Sequence, residues 1–147
     1  MGFLILAWGN VARQDDGLGP AVAAEAERWA LPDVRISVDY QLHVEDAHAI
    51  SEADRVIFVD ASTTGDDPFR WERVEPVEEI SFSSHSIQPP SLLGLSRTCF
   101  GVAPEAWLLA IRGYLFEPFV EGLTPRASAN LEAAIGFLRD HLAGEAA

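Results

Sequence analysis

Two adjacent carboxylates, Asp15 and Asp16, follow the turn-forming stretch Trp8-Gly9-Asn10 near the start of the chain. A third carboxylate, Asp60, closes the apolar run Val56-Ile57-Phe58-Val59, and His85 sits between Ser84 and Ser86 in a polar stretch. Carboxylate oxygens joined by one imidazole nitrogen make an open metal site. Imidazole suits zinc, nickel, copper or iron, whereas carboxylates alone suit magnesium or manganese. Backbone N–H groups at a helix start attract anions, so acid placed there disfavours a nucleotide phosphate and favours a cation. Each residue also has a plainer reading. Asp15-Asp16-Gly17 serves equally well as a turn and cap; Asp60 can simply bond a neighbouring amide, and a lone loop histidine is most often just that. The metal reading stands only if Asp16, Asp60 and His85 converge, with Asp15 left as turn chemistry.

Convergence depends on the elements that carry them. Gly2 to Ala7 is a continuous apolar run, the mark of a strand buried on both faces. From Pro20 the positions Val22, Ala26, Trp29 and Ala30 recur at helical spacing until Leu31-Pro32-Asp33 stops the helix. Val34 to Val38 alternates and predicts a second strand nearer the sheet edge; 41–53 predicts an acidic helix with Leu42, Ala47 and Ile50 inside. Arg55 to Asp60 is the strongest strand, Phe69 to Val77 a half-exposed one, and 91–96 a short helix. Ala106 to Arg112 is the last buried strand. A long loop from 113 to 125 follows it, and an amphipathic helix from Arg126 to Leu142 closes the chain, with Leu131, Ala134, Ile135, Leu138 and Leu142 inside.

Strands alternating with helices predict an α/β fold, a three-layer α/β/α arrangement around a mainly parallel, roughly five-stranded twisted sheet in a single domain over 1–147. Right-handed crossovers place the first and third strands side by side, with the second on the far side of the first. The crevice at that switch point, outside the carboxyl ends of the strands, is where such folds bind ligands. Asp16 leaves the first strand there and Asp60 ends the third. Two carboxylates far apart in sequence therefore meet by topology.

Composition excludes some partners. The formal net charge is −13, and all ten basic residues are arginine. Such a chain is repelled by nucleic acid and by anionic membrane surfaces. The N-terminal apolar run lacks a basic flank and is too short to span a bilayer, so the expected compartment is the cytoplasm. The single Cys99 permits no internal disulfide and reads as a small buried thiol. A phosphoryl-accepting receiver domain shares the acid geometry but needs a lysine, and this chain has none. A serine-hydrolase reading lacks a Gly-x-Ser-x-Gly elbow. His43 and His48 fall on a surface helix and His141 near the C-terminus, which leaves His85 as the best third ligand.

Four segments together resemble a known family. Trp8-Gly9-Asn10 with Asp15 to Pro20, then Val56 to Ala61, then Ser84-His85-Ser86, then Glu121 to Pro125 match, in order and spacing, the nickel–iron hydrogenase maturation endopeptidases. The resemblance spans almost the whole chain. It implies a nickel-dependent endopeptidase of aspartic or metallo type. Its substrate would be the hydrogenase large subunit precursor, from which it removes a C-terminal extension once nickel is inserted. It also implies that nickel arrives with that substrate, with no organic cofactor, and that Asp16, Asp60 and His85 are the metal-contacting residues. The chain departs from the usual pattern at Ala7, where glycine is common, and in Ser86 to Pro90 after the histidine, which bears on substrate choice. Two other classes fit the same triad: a maturation factor that binds precursor or nickel without cutting, and a metallohydrolase with a resident metal.

Overall fold

The computed structural model describes residues 2–78 and 87–146. Five strands, β1 (Phe3–Trp8), β2 (Val34–Asp39), β3 (Arg55–Ser62), β4 (Phe69–Val74) and β5 (Glu105–Arg112), form one sheet in the order β2-β1-β3-β5-β4. All neighbours run parallel except β4 and β5. The expected adjacency of the first and third strands, with the second beyond the first, is what the sheet adopts. Only 63–68 separate β3 from β4, too few residues for a parallel crossover, so β4 returns antiparallel at the edge.

Helices α1 (Leu18–Arg28), α2 (Asp46–Ser51), α3 (Pro89–Phe100) and α4 (Pro125–Ala146) cover both faces. Alternation along β1 divides the core. Phe3, Ile5 and Ala7 join Val22 and Ala26 of α1 and Ala134 and Leu138 of α4 on one side. Leu4 and Leu6 join Ile50 of α2 and Leu92 and Leu93 of α3 on the other. No helix among the described residues is long and apolar enough to cross a membrane.

Several elements differ from their expected bounds. The acidic helix is only six residues long, because residues 41–45 turn first and Asp46 spends its carboxylate on the His43 N–H at 2.9 Å. His43 accordingly lies in that turn, outside the helix. α1 ends at Arg28, and Ala30, expected inside, is exposed in a left-handed conformation (φ 51°). β4 stops at Val74, just ahead of Glu75-Pro76. α3 is twice the expected length, because Pro89 and Pro90 form its first turn and Gly101, at φ 80°, closes it. That extension carries Cys99 on an exposed surface, so the thiol is not buried as expected.

Candidate metal-contacting crevice

The segment after β1 folds back on itself so tightly that Gly9 and Gly19 leave no room for a side chain. A Cβ on Gly9 (φ 151°) would lie 2.0 Å from the carbonyl oxygen of Asp16, and one on Gly19 would lie 2.3 Å from that of Trp8. Gly19 thus lets the first turn of α1 press against the end of β1. Gly19→Ala should destabilise the protein by about 1–3 kcal/mol through forced backbone displacement, measurable as a lower urea midpoint at unchanged slope.

Between these glycines, residues Gln14–Gly17 form a single 3₁₀ turn, entered through Gln14 in a left-handed conformation (φ 54°). The turn sends the two aspartates in different directions. Asp16 Oδ2 accepts the Asn10 N–H at 2.7 Å, and Asn10 Oδ1 in turn accepts the Ala12 N–H at 2.9 Å. Among the described residues Asp16 Oδ1 has no hydrogen-bond partner.

Asp60 projects from β3 on the face it shares by strand alternation with Phe58, whose ring meets that of Trp8 edge-on. Its Oδ1 accepts the Ala61 N–H at 2.8 Å. Burial pushes its pKa up to about 7; the Ala61 N–H opposes the rise and the negative charge of Asp16 adds to it. The two carboxylates expected to meet at the carboxyl ends of β1 and β3 are thus near enough for the charge of Asp16 to act on Asp60. A buried carboxyl facing a second carboxylate takes up a proton or a cation.

His85 lies in 79–86, outside the described residues. Its flanks are held: the Val77 N–H donates to the Pro90 carbonyl at 2.9 Å, and Ile87 is buried in the core on the α2/α3 side, the same side as Phe58. Among the described residues no group of three or more His, Cys, Asp or Glu side chains is placed to hold a metal.

Asp15 has a role that turn chemistry does not describe. It is fully buried. Its carboxylate accepts the N–H groups of Tyr114 (2.8 Å), Leu115 (3.2 Å) and Thr124 (2.7 Å) and the Thr124 hydroxyl (2.8 Å). Burial alone would raise its pKa, but these four donors together hold it below the usual carboxylate range. The same Thr124 hydroxyl accepts the Ala127 N–H at 3.3 Å in the first turn of α4. Asp15 thereby joins the opening loop, the loop after β5 and the start of the last helix.

A second polar network fixes the loop after β3. The Arg112 guanidinium donates to the carbonyls of Thr63 and Gly113 at 2.6 Å each and of Gly65 at 3.1 Å. Asp67 accepts from the Tyr114 hydroxyl and from Arg126, and Asn130 donates to the Arg112 carbonyl and the Tyr114 oxygen. Sequence reasoning missed these residues. Only the Thr124-Pro125 pair ahead of an amphipathic run signalled a capped helix start.

No family model matches the chain, and no curated protein does. Solved structures do. The hydrogenase maturating endopeptidase HybD from E. coli superposes with a TM-score of 0.73 at 23% identity, over 99% of this chain and 94% of that one. The [NiFe] hydrogenase maturation protease HycI from Thermococcus kodakarensis gives 0.74 at 20% identity, over 96% and 92%. An endopeptidase from Escherichia coli gives 0.70 at 25% identity, over 94% and 90%. The chain has the α/β fold of these proteins.

Proposed function

We propose that the chain is a hydrogenase maturation endopeptidase, which removes a C-terminal extension from the large subunit precursor of a nickel–iron hydrogenase. The observation that carries this reading is the pairing of Asp16 with Asp60 in the switch-point crevice of a fold shared with such endopeptidases. Asp16 supplies Oδ1, Asp60 supplies Oδ2, and His85 is the third ligand. Together they complete the coordination of nickel already seated in the precursor. The enzyme acts in the cytoplasm, as a single domain, on a protein that brings the metal with it.

The chemistry follows from the two acids. Each spends one carboxylate oxygen on a backbone N–H, which fixes its orientation and leaves the other oxygen for the metal. Two carboxylates face one another there, so a cationic metal centre is drawn in, and the ion offsets the burial and, secondarily, the Asp16 charge that raise Asp60. Nickel held between precursor and enzyme positions the scissile peptide. As a Lewis acid, nickel carried in by the precursor would polarise the carbonyl or lower the pKa of a bound water.

Mass spectrometry of the precursor after incubation tests this directly. The nickel-loaded precursor should lose its extension and the nickel-free form should not, and Asp16→Ala should slow cleavage by more than about a hundredfold. An intact nickel-loaded precursor that still co-purifies with the chain would make it a binding factor. Stoichiometric metal in the freshly purified protein would favour a resident-metal hydrolase.

A further inference from the structure

Phe119 has no folding reason to be where it is. It is 94% exposed and its backbone is left-handed, at φ 63°. A bulky side chain avoids that conformation, and a phenylalanine left in water forgoes one of the larger gains a side chain can make. The loop that presents it is nevertheless held at several points. Gln14 donates its N–H to the Val120 carbonyl at 2.8 Å, Val120 donates to the Ala12 carbonyl at 3.1 Å, and Arg13 Nη2 donates to the Phe116 carbonyl at 3.2 Å. Asp15 grips the loop on either side, at Tyr114 and Leu115 and at Thr124.

The neighbours continue the pattern. Val11 and Leu115 are each about half exposed, and Val120 is exposed as well. Val11 lies beside Gly17, where an added Cβ would come within 3.4 Å of the Val11 Cα, so the apolar surface adjoins the loop that carries Asp16. Glu117 and Glu121 flank Phe119 on an exposed stretch that contains no basic residue.

We infer that the 115–122 loop is the docking edge for the precursor polypeptide, with Phe119 as its anchor and an apolar, basic segment of the precursor as the occupant. The inference rests on the function proposed above. The bonds of Val120 to Ala12 and Gln14 set this surface beside the Asp16 loop, where a precursor offered to that loop would also touch it. The acidic flanks select positive charge, and a pre-formed strained loop spends no ordering entropy on binding.

Steady-state cleavage of nickel-loaded precursor tests it. Phe119→Asp should raise KM about tenfold or more at a kcat within twofold of the native value. Phe119→Gly should raise KM similarly while leaving Tm unchanged or higher, since glycine adopts the left-handed backbone freely. KM of the native protein should rise with salt, less steeply in a Glu117→Gln, Glu121→Gln double variant. A KM within twofold of native in both Phe119 variants overturns the inference, as does a lower Tm in Phe119→Gly or a salt-independent native KM. Asp16→Ala run alongside separates the failures: if it cleaves normally the metal-site reading falls. If it is inactive while the Phe119 variants behave as native, only the docking edge falls.

Discussion

Asp60→Asn should make the metal-free protein more stable at pH 8 while ending its activity. The folded protein holds the Asp60 carboxyl at a pKa of about 7, against 3.8 in the unfolded chain. Between those values the folded state keeps a proton that the unfolded state has released, so this group's contribution to stability falls as pH rises. The loss begins near pH 4, grows through pH 7 and is level above it. At about 1.4 kcal/mol per tenfold change it amounts to about 4 kcal/mol, reduced to about 2 if water enters the crevice to relieve the charge. An asparagine carboxamide retains the oxygen that accepts the Ala61 N–H and carries no charge for Asp16 to repel. The stability difference between variant and native protein should therefore be near zero at pH 4 and largest at pH 8. Urea titrations of both proteins across that range, with chelator present, check it. An equal difference at pH 4 and pH 8 would mean that burial and Asp16 do not act on Asp60 as described. If Asp60 contacts nickel as proposed above, cleavage of nickel-loaded precursor should drop more than about a hundredfold, because the oxygen it would offer to the metal becomes an amide group. A site that is less stable for carrying its own charge is the expected cost of holding acids ready for a cation.

The placement of Asp16 and Asp60 at neighbouring strand ends is legible in the sequence because it needs only strand order. Two apolar runs identify β1 and β3, and a handedness rule places them together. The partners of Asp15 left no such trace. Three of its four bonds go to backbone N–H groups of Tyr114, Leu115 and Thr124, about a hundred residues away, and a backbone donor looks the same whatever its side chain. Phe119 was silent for the opposite reason. Its meaning lies in exposure and backbone angle, and a phenylalanine in a loop sequence shows neither. Helix bounds slipped where local polar chemistry outweighed periodicity, as at Asp46. They slipped too where prolines looked like loop residues and were the first turn of α3. The strand order was thus readable from topology, while the loops around the strand ends depend on hydrogen bonds no pattern announces.

Asp15 gives the second large effect, and one substitution decides what the residue does. In a turn, asparagine replaces aspartate at little cost, since both side chains bond nearby backbone and tolerate the same conformations. In the buried anchor it cannot. Oδ1 accepts the Thr124 N–H, while Oδ2 accepts the N–H groups of Tyr114 and Leu115 and the Thr124 hydroxyl. Whichever way a carboxamide is turned, its NH₂ faces at least one of these donors, and no negative charge remains to strengthen the bonds that survive. Asp15→Asn should therefore destabilise the protein by about 2–3 kcal/mol, and Asp15→Ala, which strands all four donors, by about 3–5 kcal/mol. Linkage gives the same residue a pH signature. Its folded pKa lies below the 3.8 of the unfolded chain. Its contribution is therefore complete above that value and is lost as pH falls through the folded one, so the native protein's advantage over Asp15→Asn should shrink in acid below about pH 4. The carboxylate also holds the loop that presents Phe119, so amide exchange between 113 and 124 should quicken in Asp15→Asn more than exchange in β1 or β3. A variant within about 0.5 kcal/mol of native stability, with unchanged exchange in that loop, would return Asp15 to ordinary turn chemistry.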